Sequence, residues 1–195
     1  MSLARKLDHP ATRADLEALP DTMRGEIIDG ELYAFPRPRA PHGSLETSIA
    51  SDLHGPFQKR RNGPGGWWIL AEPGVELPRA PEISPDVAGW RRERLPRLPV
   101  KEPIRVVPDW VCEVLSPWTR AYDLIVKRRF YAEIGVSHLW YVDPEARSLA
   151  VSRLVDGRWL ELGVHGPTER VRAEPFEEVE IELSIWWEDL DLEGD

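Results

Sequence analysis

Cysteine is almost missing from this chain: Cys112 is the single one among 195 residues. One thiol makes no internal disulfide and cannot build a Cys-rich zinc site. No apolar run approaches the length needed to span a bilayer. The N-terminal MSLARKLDHPATRADLEALP has no apolar stretch of the kind a secretory signal requires. Together these absences point to a reducing, cytoplasmic setting away from membranes. Also missing are a Gly-rich phosphate loop, a zinc-finger spacing and a Ser-His-Asp motif, which removes three common routes to chemistry. No internal repeat or low-complexity tract interrupts the chain.

What is there describes one soluble globular domain over residues 1–195, with 42% hydrophobic and 30% charged residues and enough length to bury a core. The net charge of −9 argues at first against a nucleic-acid partner. Its distribution weakens that argument. From Glu169 onward 11 acidic residues face 2 basic ones, while the first 168 residues hold 23 of each sign and are neutral. Basic clusters sit in the neutral part: Lys59 to Arg61, Arg91 with Arg92 and Arg94, and Lys127 to Arg129. Each is able to touch phosphates, and each is equally consistent with a solvated face.

Hydrophobic periodicity supplies the elements. Thr12 to Leu19 reads as a short helix with Thr12 as its N-cap. GEIIDGELYAF is a β-hairpin turning on Asp29-Gly30, and SLAVSRLVDGRWLEL another on Asp156-Gly157. Leu45, Ile49, Leu53 and Phe57 recur every four residues, the stripe of an amphipathic helix that NGPGG ends. Three strand candidates follow, WWILAEPGVEL, EISPDVAGW and the stretch around DWVCEVL. A helix from about Arg120 to Ile134 stops at Gly135, and HLWYVDPE is a further strand. In the acidic end, VEIELSI alternates apolar and acidic residues like an edge strand. The order is helix, three strands, helix, strand, framed by hairpins: an α/β fold with a mixed sheet and helical cover.

Two places in this plan put charge where apolar residues belong. In PDWVCEVL, alternation sets Glu113 on one face with Val111 and Leu115, where an ionised carboxylate costs several kcal/mol unless paired. Asp86, in SPDVAGW, is another acid on the preceding strand, just before Val87 and Ala88. Two acids on neighbouring strands demand a cation; the alternative is that each pairs with an arginine. On the following helix, Lys127 falls within the sector of the buried stripe Leu124, Tyr131 and Ile134, together with Asp123 and Phe130. It either snorkels, pairs with Asp123 at i,i+4, or faces an anion within the fold. Taken together, two carboxylates and a lysine suit metal-dependent phosphodiester hydrolysis, in which the acids hold Mg²⁺ (or Mn²⁺) and the lysine assists the attacking water.

These segments carry a resemblance. GEIIDGELY, PHGSLE, LAEPGVEL, PDVAGW, PDWVCEVLSPWTRAYD and KRRFYAEIGVSHLWYVDPEA resemble the Uma-type restriction endonuclease family of the PD-(D/E)xK nuclease superfamily, from roughly residue 24 to 165. The resemblance implies a restriction-endonuclease-like core acting on DNA. Asp86 then matches the first acid of the motif and Glu113 the second, as the metal-binding pair. The superfamily lysine normally lies two residues beyond that glutamate, where this chain has Leu115. Lys127 matches the variant with the lysine moved to the next helix, and Tyr131 matches the family tyrosine one turn on. Trp118 departs from the pattern, standing where relatives have a small polar residue. Glu72 in LAEPGV either approaches the site or is an exposed strand-end acid. His42 in PHGSLE either acts near the phosphate or caps and packs its helix.

Two functions remain in competition: a Mg²⁺-dependent DNA endonuclease, and a catalytically silent nucleic-acid-binding or scaffold protein on the same fold. A metal-dependent hydrolase of another substrate shares the site of the first. Nine tryptophans are many for this length. The pairs Trp67-Trp68 and Trp186-Trp187 should by alternation expose one member each, which points to a homodimer interface.

Overall fold

The computed structural model describes residues 4–188 and 190. In chain order the elements are α1 (Arg13–Glu17), β1 (Met23–Ile28), β2 (Glu31–Pro36), α2 (Ala40–Leu53), β3 (Trp67–Ala71), β4 (Val75–Leu77), β5 (Ala80–Ile83) and β6 (Val87–Arg91). There follow β7 (Trp110–Val114), α3 (Arg128–Ile134), β8 (His138–Asp143), β9 (Ser148–Val155), β10 (Arg158–His165), β11 (Arg170–Val171), β12 (Ile181–Glu182) and α4 (Ser184–Trp187). This is the mixed α/β plan read from the sequence, with its restriction-endonuclease-like run of helix, three strands, helix and strand as α2, β3-β6-β7, α3 and β8.

Six strands form the main sheet in the order β10-β9-β8-β7-β6-β3. All neighbours are antiparallel except β7 and β8, which the helical crossover between them makes parallel. A second sheet, β2-β1-β5-β4, is built on the first hairpin. Both hairpins turn as their Asp-Gly pairs require, with positive φ at Asp29 and Gly30 and at Asp156 and Gly157. Two of the expected strands are each broken in the middle. WWILAEPGVEL divides into β3 and β4 at Glu72-Pro73-Gly74, and EISPDVAGW into β5 and β6 at Ser84-Pro85-Asp86. Proline cannot donate to the ladder, so each break passes the chain from one sheet to the other. Asp86 and Glu72 are therefore placed at the seam between the sheets.

Both long helices depart from the regular 3.6-residue turn. The four-residue spacing of Leu45, Ile49, Leu53 and Phe57 drifts about 40° per step on an α-helix. A π-helical turn over His54–Gln58 absorbs that drift, and all four side chains are buried. A second π-turn, Tyr122–Lys127, precedes α3. Its wider turn moves Tyr122 to the inside and leaves Leu124 and Ile134 half-buried, correcting the stripe expected from 100° spacing. Lys127 stays inside, 1% exposed.

The acidic end differs more. Of VEIELSI only Ile181 and Glu182 are strand, paired with β11 rather than with the main sheet, and Ser184–Trp187 is a helical turn. Trp186 and Trp187 are consequently both buried, and the Trp186 indole donates to Asp52 Oδ2 on α2 at 2.8 Å. Trp67 is buried too, while Trp68 lies half-buried under the Arg92 guanidinium, 3.7 Å from the ring centroid. Neither pair therefore has the exposed member that alternation predicts: three of the four are core and Trp68 is half-buried. Residues 189 and 191–195 of the acidic stretch lie outside the described residues. None of the described helices is long and apolar enough to cross a membrane.

Candidate active site

Asp86 ends the break that leads into β6, and its carboxylate points across to β7. Oδ2 accepts the Val114 N–H at 2.7 Å, which ties the acid to the backbone of the residue after Glu113. Oδ1 faces two cations, His42 Nε2 at 3.5 Å and Arg24 Nη2 at 3.4 Å. His42 sits near the start of α2, and Glu46 lies one turn further on the same face. The ligand atoms of His42, Glu46 and Asp86 all fall within 4.8 Å of one another, the one such group of three or more among the described residues.

Burial favours protonation of Asp86, but His42, Lys127 and Arg24 outweigh it and hold the carboxyl below its usual range. Burial also works against a charge on His42; facing Asp86 and Glu46, the imidazole is nonetheless pushed up to about 10. Glu46 moves up, chiefly through burial. His42 Nε2 and Glu46 Oε1 stand 2.9 Å apart. Neither atom completes a hydrogen bond of proper geometry, although both are buried. Unsatisfied buried polar atoms are costly, so this is a place with donor atoms to spare. Once His42 gives up its proton, one imidazole nitrogen and two carboxylates are a ligand set suited to a divalent cation, so binding competes with that proton.

Behind this pocket lies a second group of charges. Lys127 Nζ is 3.1 Å from both Glu113 oxygens, 3.3 Å from Glu26 Oε1 and 3.8 Å from Asp123 Oδ1. The Tyr131 hydroxyl donates to Glu113 Oε1 at 2.6 Å and the Tyr122 hydroxyl to Glu26 Oε2 at the same distance. Glu26 Oε1 also accepts the Ser84 N–H at 3.0 Å. One ammonium faces three carboxyls, all shut away from water. Burial raises Glu113 well above the usual carboxylate range, with Lys127 opposing, and raises Asp123 to about 7. Burial opposes charge on Lys127, but Glu113, Glu26 and Asp123 more than offset it and keep the ammonium protonated.

The sequence-expected residues thus fall into two places. Asp86 and His42 meet in the pocket; Glu113, Lys127 and Tyr131 meet behind it. Glu113 is not among the three converging ligands, and both its oxygens already have partners. Glu72, half-exposed at φ 41°, holds Arg24 Nη1 at 3.4 Å, and its N–H bonds the Asp86 carbonyl at 2.8 Å. Four further participants were not singled out. Arg24 and Glu26 are on β1, in a segment that reads as a plain hairpin strand. Tyr122 is turned inward by the π-turn. Glu46 alone had a sequence signal, its spacing of four from His42 on one helix.

The pocket opens to solvent through a cleft of about 600 Å³. Arg24 and His42 line it together with Arg37, Arg39, Trp118 and Arg120, so His42 joins the cleft to Asp86 and Glu46. Cys112, on the face of β7 opposite Glu113, is fully buried in the core.

The chain matches, over residues 13–185, a family model described as "Uma2: Putative restriction endonuclease". Among solved structures it is similar to one titled a "putative nuclease belonging to DUF820" from Anabaena variabilis. The two share 21% identity at a TM-score of 0.70, over 91% of this chain and 98% of the other, which establishes the fold. No curated protein matches.

Proposed function

We propose that this chain, which belongs to the Uma2 family, is a metal-dependent nuclease that hydrolyses DNA phosphodiester bonds in the arginine-lined cleft. The observation that carries the reading is the convergence of His42, Glu46 and Asp86, with two buried atoms lacking hydrogen bonds and with His42 lining that cleft. In this reading Asp86, His42 and Glu46 hold Mg²⁺ or Mn²⁺. The ion, when bound, lowers the pKa of a water and offsets charge on the phosphate.

The remaining roles belong to the chain's own groups. Arg24, fixed by Asp86 and Glu72, presents a guanidinium to the substrate phosphate as it enters. Glu113 is the second acid. Enclosed behind the pocket and held by Lys127 and Tyr131, it acts through the backbone of β7, whose Val114 N–H holds Asp86 in place. Lys127 is enclosed, so it acts through Glu113: with Tyr131 it fixes the position of that carboxylate. The lysine missing from β7 at Leu115 is in this way replaced by one reaching back from the helix.

Incubation of supercoiled plasmid with purified protein in Mg²⁺ or Mn²⁺ tests the reading. Nicking by the wild type that Asp86→Asn abolishes is the expected result. Identical behaviour of the two proteins would overturn it and favour the silent nucleic-acid-binding reading. Enclosure of Lys127 among three acids is the observation on that second side, since such a group can also be a purely structural hub.

A further inference from the structure

Trp118 is the exception among the tryptophans. It is 67% exposed, while the paired tryptophans are buried or half-buried. A lone exposed apolar residue is ordinary on a surface; what sets this indole apart is a fixed turn and a place in the cleft. It does not hang on a floppy loop. Ser116 and Thr119 join hydroxyls at 2.9 Å, the Thr119 N–H reaches Ser116 Oγ at 3.2 Å, and the Arg120 N–H bonds the Ser116 carbonyl at 2.8 Å. Pro117 stiffens the turn further. On its far side Arg120 is locked to Asp143 Oδ2 at 2.7 Å. The turn leaves directly from β7, five residues beyond Glu113, and the indole lines the same cleft as His42 and Arg24.

We infer that Trp118 is a stacking platform for an unpaired nucleobase of the strand whose phosphate enters the cleft. The inference rests on the nuclease reading for its substrate class and adds to it a preference for single-stranded or locally opened DNA. A flat π-face beside guanidinium groups fits a base and its backbone: the arginines meet phosphate, and the indole meets whichever base is adjacent, without sequence selection. A base within a closed duplex has both faces covered by its neighbours and cannot use the platform.

The test measures binding in the absence of divalent cation, so that cleavage plays no part. Fluorescence anisotropy compares wild type, Trp118→Phe and Trp118→Ala on three labelled probes of equal length: a mixed single strand, the same strand made of abasic sites, and the closed duplex. The expected result is a single strand bound at least fivefold tighter than the abasic strand and the duplex. Trp118→Ala removes that advantage, Trp118→Phe keeps most of it, and the abasic probe is indifferent to both changes. Equal affinity of the wild type for base-bearing and abasic strands overturns the inference, as does an unchanged preference in Trp118→Ala. Plasmid nicking in Mg²⁺ separates the two readings. Nicking without base-dependent binding sinks the platform alone; base-dependent binding without nicking sinks catalysis alone. Failure of the wild type to bind any of the probes overturns the platform.

Discussion

The pocket and the group behind it are made of the same materials and behave differently. Each brings acids and a cation together inside the fold. Around Lys127 every carboxylate has a partner: Glu113 has the ammonium and Tyr131, and Glu26 has Tyr122, Ser84 and the ammonium. In the pocket, His42 Nε2 and Glu46 Oε1 are paired by charge at 2.9 Å without the geometry of a hydrogen bond, and His42 also lines the cleft. A satisfied buried network gives rigidity, whereas an unsatisfied one invites a ligand. On the proposed reading the inner group positions and the outer one binds.

The largest effect that tests this division is removal of the inner cation. Lys127→Met leaves Glu26, Glu113 and Asp123 without their ammonium and should lower unfolding stability by about 3–5 kcal/mol, read by urea denaturation. A loss under about 1 kcal/mol would mean the group is less enclosed than described. Next comes the outer pocket. Mn²⁺ at a hundred times its dissociation constant should stabilise the wild type by about 2.7 kcal/mol. Glu46→Gln should lose most of that gain while its metal-free melting temperature barely moves. Third, Tyr131→Phe deletes one bond to a buried carboxylate and should cost about 1–3 kcal/mol of stability and a large part of the nicking rate. Its Mn²⁺ affinity should remain that of the wild type, because Tyr131 touches nothing in the pocket.

The smallest effect is on pH. Asp123 is raised to about 7 by burial, above its unfolded value. Its contribution to stability is therefore fully present below the unfolded value and is lost as pH rises through about 7. Across the span from its unfolded value of 3.8 to about 7, Asp123 should make metal-free protein lose stability as pH rises, and Asp123→Asn should flatten that slope. A slope unchanged in the variant would remove Asp123 as its source.

The sequence reveals the inner group better than the outer one, for a physical reason. Glu113 and Lys127 stand out because each interrupts an apolar face of its own element, a fact that periodicity alone displays. Asp86 stands out by its place before an apolar strand. Glu26 does not, because its burial comes from the second sheet folding over it, and no local pattern records that. Tyr122 was missed because a stripe computed at 3.6 residues per turn does not foresee a π-turn. His42 was visible as a helix-start residue with a role near the phosphate or in capping; its neighbour comes from the chain crossing between sheets at Pro85-Asp86, which brings Asp86 within 3.5 Å of it. The fold was legible in outline, since its hairpin turns and breakers are local signals. The split strands and the helical Trp186-Trp187 turn depend on which surface each segment meets.

The most direct test of the division is a calorimetric Mn²⁺ titration of wild type, Asp86→Asn and Tyr131→Phe. The asparagine variant keeps an oxygen for the Val114 N–H, so the fold is preserved while the charge is removed. The account predicts saturable binding in the wild type and in Tyr131→Phe, and a loss of about a hundredfold or more in Asp86→Asn. Mn²⁺ binding of equal strength in Asp86→Asn and wild type, or a loss in Tyr131→Phe as large as in Asp86→Asn, would contradict it.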